Sequence, residues 1–99
     1  MIALMALVAA QAIACPATRE ARPLATVQVF DGDPKNQTDL EPDAGGWDLK
    51  SIRSTSSPEG FFLVCGYEGF KPDLTLRLPR ETDACRLSGS RHAPKVTCR

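Results

Sequence analysis

The chain holds a single histidine, His92, and no net charge, with 12 basic residues balanced by 12 acidic ones. Each shortage excludes something. A general nucleic-acid binder shows a basic excess, and there is none. A histidine-based hydrolase needs its base beside a Ser or Cys nucleophile. His92 instead stands in the polar stretch Ser88–Pro94, and no serine lies in a Gly-x-Ser-x-Gly elbow. There is no Cys-x-x-Cys, which removes the usual redox pair and the close cysteine pair of a zinc finger. Beyond residue 14 no long apolar run occurs, so nothing there reads as a membrane-spanning helix. The 8 prolines, at 16, 23, 34, 42, 58, 72, 79 and 94, leave few windows for helices. No internal repeat or low-complexity tract is present.

What is there begins with an apolar leader. Residues 1–14 read MIALMALVAAQAIA, without charge, proline or glycine. A transmembrane helix needs about 20 residues, so the run is too short to span, but it fits the apolar part of a secretory signal. Ala12-Ile13-Ala14 puts small residues at the two positions a signal peptidase reads, which places the cut before Cys15. The expected organisation is a cleaved helical signal peptide over 1–14 and a single small domain over 15–99. The Lys or Arg that usually opens a signal is missing. A buried helix of a cytosolic domain would carry polar residues along one face, and Gln11 is the only one here. A lipid anchor on Cys15 is a third reading. Ile13-Ala14-Cys15 suits it, although Ala12 stands where leucine is usual.

The mature part reads as strands and turns. Leu24–Phe30 is rich in β-formers and stops at Asp31-Gly32-Asp33-Pro34, a strong turn signal. Residues 31–46 read as a loop. Trp47–Arg53 is a candidate short strand with Trp47 and Leu49 on one side. Phe61–Tyr67 is apolar on both faces, so it should be a central strand covered on both sides. Glu68–Pro72 turns the chain. Leu74, Leu76 and Leu78 then alternate with polar residues, which marks a half-buried strand. Asp83–Leu87 and Lys95–Cys98 follow, joined by a polar turn. The fold class is all-β: a small antiparallel sheet rolled into a sandwich or partial barrel.

The 4 cysteines, Cys15, Cys65, Cys85 and Cys98, allow three pairings. If the last turn is centred near Arg91–His92, Cys85 falls opposite Cys98, and Leu87 shares a face with Val96. Directly opposed strand residues have Cβ atoms close enough for a bridge. The reading is therefore Cys85–Cys98 and Cys15–Cys65, with Cys65–Cys85 as the rival for the first bridge. A core of this size is marginal alone, so two bridges matter.

Other candidates are weaker. Asp31-Gly32-Asp33 begins like a calcium loop, but Lys35 occupies the third-ligand position and the turn reading is better. No metal and no cofactor are expected. The stretch 31–48 is acidic and 77–99 is basic, which reads as two solvated surfaces or as a basic face for an acidic partner. Trp47, Phe70, Arg77, Arg86 and Arg91 form the candidate partner surface, with Trp47 also readable as a core plug.

Several short motifs carry a resemblance. They are Cys15-Pro16-Ala17-Thr18, Phe30-Asp31-Gly32, Leu63-Val64-Cys65-x-Tyr67, Leu78-Pro79 before Cys85, and the closing Cys98-Arg99. Together they resemble a small family of functionally uncharacterised exported proteins of Gram-negative bacteria. Arg19 and Ala21 stand where that family has apolar residues. The resemblance implies a periplasmic or secreted location and transfers no catalytic residue. The expected function is a non-catalytic envelope protein that binds another protein, inhibitor-like or immunity-like. A small exported hydrolase using His92 or the carboxylates at 31–43, and a structural lipoprotein held by Cys15, are the alternatives.

Overall fold

Phe61–Tyr67 is the strand around which the rest is arranged. The computed structural model describes residues 12–99, so the expected helical leader lies outside the described residues except for its last three positions. The strands are β1 (Ile13–Ala14), β2 (Thr18–Arg19), β3 (Arg22–Asp31), β4 (Gly46–Asp48), β5 (Phe61–Tyr67), β6 (Phe70–Arg77), β7 (Ala84–Ser90) and β8 (Ala93–Cys98). They form two four-stranded antiparallel sheets, β2-β3-β5-β6 and β1-β8-β7-β4. Described helix is limited to two short 3₁₀ segments, Pro34–Asn36 and Lys50–Thr55. The protein is all-β.

The core follows from side-chain alternation. Phe61, Leu63, Cys65 and Tyr67 of β5 point to one face, and Leu63 and Cys65 are 0% exposed. β3 sets Val29 opposite Leu63 and Val27 opposite Cys65, while β6 sets Leu76 opposite Leu63. From the other sheet, Trp47, Cys85, Val96 and Cys98 meet this face. β3 also lies against β8, which curls the two sheets towards one another. Each large side chain buried in this way contributes roughly 1.5–3 kcal/mol.

The two bridges are Cys15–Cys65 and Cys85–Cys98, as the hairpin register required. Cys85 pairs directly with Cys98, and Leu87 with Val96. The first bridge joins the residue after β1 to β5, so it staples one sheet to the other. The second lies within one sheet.

Three local expectations need correction. Of the expected strand 47–53 only Trp47 and Asp48 are strand, within Gly46–Asp48. The chain then leaves the sheet in a 3₁₀ turn, with Leu49 and Lys50 N–H both donating to the Asp83 carbonyl at 2.9 Å. The turn expected over 68–72 is shorter, because β6 already begins at Phe70. β5 is not fully covered on its second face: Val64 is buried, but Phe62 is half-buried, with the Arg77 guanidinium 5.8 Å from its ring centre. The Asp31-Gly32-Asp33 segment is a structural turn. The Asp31 carboxylate accepts the Ser57 N–H at 2.8 Å, and that of Asp33 accepts the Lys35 N–H at 2.9 Å.

Candidate functional site

An open concavity lies on the outer face of the β4-β7-β8 region, and glycine makes it. Gly46 sits at φ 129°, a region that favours glycine, and a Cβ there would strike the carbonyl oxygen of Cys85. With no Cβ, the turn 43–46 lies flat against β7. The Leu87 N–H donates to the Gly45 carbonyl at 3.0 Å, and the Asp43 N–H to the Gly46 carbonyl at 2.8 Å. The small residues Gly45, Ala84 and Ser88 then leave an open groove of about 610 Å³ between Arg86, Thr97 and Arg99.

Alternation explains why Arg86 faces this groove. Its neighbour Cys85 is 1% exposed and points inward, so Arg86 points out. Arg99 is held by its backbone, its N–H donating to the Ala84 carbonyl at 2.9 Å. The ion pairs among the described residues are Arg53–Asp83 at 2.8 Å and Lys71–Asp73 at 3.3 Å, so neither Arg86 nor Arg99 is spent on one. Two further hollows of about 270 and 310 Å³ continue over β4, sharing Asp43, Gly46, Trp47 and Asp48. The result is one trough, basic at the Arg86–Arg99 end and acidic at the Glu41–Asp43–Asp48 end. The acidic and basic stretches of the sequence thus meet along β4 and β7 without neutralising each other in ion pairs.

The other candidates are dispersed. Trp47 is buried in the core: it is 6% exposed, with its indole N–H donating to the Leu40 carbonyl at 2.9 Å. Packing against Leu49 and the bridge cysteines outweighs exposure for so large an apolar ring. Phe70 is half-buried beneath the Arg19 guanidinium, 5.1 Å from its centre. Arg77 stands on the other sheet, over Phe62. Arg91 and His92 are exposed at the tip of the β7–β8 hairpin. Only Arg86 of the expected surface lies in the open on the trough. Sequence reasoning passed over Arg99 and Gly45 as groove residues. The Gly45-Gly46 pair was the available signal, since paired glycines mark close backbone approach.

Tyr67 is a buried titratable group on β5. Burial pushes its phenol above the usual 10.0, and the nearby Arg19 charge opposes this in part. Its hydroxyl donates to the Pro16 carbonyl at 2.7 Å, tying the segment after Cys15 to β5. This is a structural role.

A family model for the type VI secretion system Tli immunity protein matches residues 17–99. The chain belongs to the Tli immunity protein family. No curated protein and no solved structure gives a match. Tli membership fits a non-catalytic, protein-binding immunity module, and it favours neither the hydrolase nor the lipoprotein alternative. It also agrees with the expected small exported Gram-negative protein, but replaces the uncharacterised role with a named one. The Cys15 sulfur, moreover, is engaged by Cys65, and one sulfur cannot hold both a disulfide and a lipid thioether.

Proposed function

We propose that this Tli protein works in the periplasm, where it binds a toxin delivered by a type VI secretion system and blocks it by occupying the toxin's surface with the trough around Arg86. The match over residues 17–99 is the observation that carries the immunity role. Two bridged cysteine pairs, with no free cysteine among the described residues, support an oxidising compartment. The trough is favoured as the contact because two unpaired arginines flank an open floor of small residues. Arginine is enriched where interfaces concentrate their binding energy. The complementary toxin surface would present carboxylates to Arg86 and Arg99, and basic groups to Asp43 and Asp48.

The test is protection. The cognate toxin is directed to the periplasm of cells that co-express this protein, and survival is counted. Arg86→Glu combined with Arg99→Glu should lose protection while the protein still accumulates. Arg91→Glu, at the hairpin tip, should protect like wild type. Full protection by the double variant would overturn the trough as the contact. A lack of protection by wild type would overturn the immunity role in this pairing.

A further inference from the structure

Ile13 and Ala14 belong to the leader by their sequence but to the domain by their contacts. They form β1 on the outer edge of β8, with Ile13 opposite Cys98 and Ala14 opposite Thr97. Ile13 is half-buried and packs against the core, while Ala14 faces out. This alternation is that of a folded edge strand. We propose that the leader is cut between Ala12 and Ile13, so that the mature protein begins at Ile13 and keeps β1.

The chemistry of the cut allows this. Signal peptidase reads small residues in an Ala-x-Ala spacing. Ala10-Gln11-Ala12 has that spacing, and so does Ala12-Ile13-Ala14. The two matches overlap, with Ala12 shared, so the sequence offers both cuts. The peptidase acts before the domain folds, and the fold does not steer it. The fold does record which residues the mature chain uses.

A chain starting at Cys15 would lose in two places. Its new ammonium would sit on a residue 8% exposed, whose sulfur is tied to the fully buried Cys65. Holding a charge in such a site is unfavourable. The β8 edge would also lose the partner of Thr97 and Cys98, leaving strand groups unpaired at the edge. A chain starting at Ile13 carries its ammonium at the outer end of a two-residue strand and leaves the Cys15–Cys65 bridge enclosed.

The experiment is intact mass measurement and N-terminal sequencing of the protein exported from the full-length gene. The expected product spans 13–99 and begins Ile-Ala-Cys. Two leader variants separate the cuts. Ala10→Leu places a bulky residue at the outer read position of the proposed cut and should abolish the 13–99 product, leaving uncut precursor or a chain cut before Cys15. Ala14→Leu disturbs only the cut before Cys15 and should leave the 13–99 product unchanged. From the unaltered gene, a product starting at Cys15 or Gln11, an uncut chain or a lipid adduct on Cys15 would each overturn the proposal, as would loss of the 13–99 product in Ala14→Leu but not in Ala10→Leu.

Discussion

The two sheets divide the work of the molecule. The β2-β3-β5-β6 sheet has three long strands, and its inner face supplies the fully buried side chains Val29, Leu63 and Cys65. The β1-β8-β7-β4 sheet is edged by strands of two and three residues. Only β7 and β8 run long in it, and a disulfide joins them. Its outer face is nevertheless the one with the open trough. A sheet that carries the core must fill both registers of its central strand with bulk. A sheet stapled covalently can place glycine and alanine where a partner must approach. The outer faces differ in the same sense. On the first sheet Phe30 pairs with Phe62 and Arg77 lies across the Phe62 ring. On the second, Arg86 and Arg99 form no ion pair among the described residues.

The largest expected effect falls on the staple between the sheets. Cys15→Ser with Cys65→Ser releases a loop spanning a separation of 50 residues and should lower the unfolding free energy by about 4 kcal/mol. The intra-sheet pair Cys85→Ser with Cys98→Ser spans 13 and should cost about 3 kcal/mol. Denaturant melts of the two double variants give the order directly. If the intra-sheet bridge costs more, the division of labour described above fails.

Leu63→Ala removes a side chain that is 0% exposed and should cost about 3 kcal/mol in the same melts. Gly46→Ala probes the other sheet and should cost about 2 kcal/mol, because alanine is strained at φ 129° and its methyl meets backbone instead of a movable side chain. The sharper signature of Gly46→Ala is a loss of toxin affinity beyond that of Leu63→Ala, measured under conditions where both remain folded. Equal affinities would mean that the β4-β7 approach does not shape the contact.

The smallest effect is alkaline. The folded Tyr67 phenol titrates above its ordinary 10.0. Its contribution is therefore fully present below pH 10. It is lost as pH rises through the folded value, because the unfolded chain releases its proton first. Tyr67→Phe should remove that alkaline slope while costing about 1 kcal/mol at neutral pH for the lost bond to Pro16. A slope unchanged in Tyr67→Phe would assign it to another group.

Much of this was legible in the chain. Alternation along Phe61–Tyr67 marked the central strand. The agreement of Leu87 with Val96 marked the Cys85–Cys98 register in the sequence, because the period of a strand is local and needs no knowledge of its neighbours. Trp47 and Leu49 misled for the same reason: two apolar residues spaced by two resemble a strand whether or not the chain stays in the sheet. Here it departs after Asp48 towards the Asp83 carbonyl. Arg77, Arg86 and Arg91 are close in sequence, yet they end on one sheet, the other sheet and a hairpin tip.

The sequence by itself determined the all-β class and the pairing of the cysteines. Those properties rest on residue type, short-range spacing and two-residue alternation. Only the tertiary structure decided which arginines share a face, that Trp47 is inside, and that Ile13 and Ala14 belong to the sheet. These depend on which distant segments lie side by side, and alternation says which way a side chain points without saying what it meets.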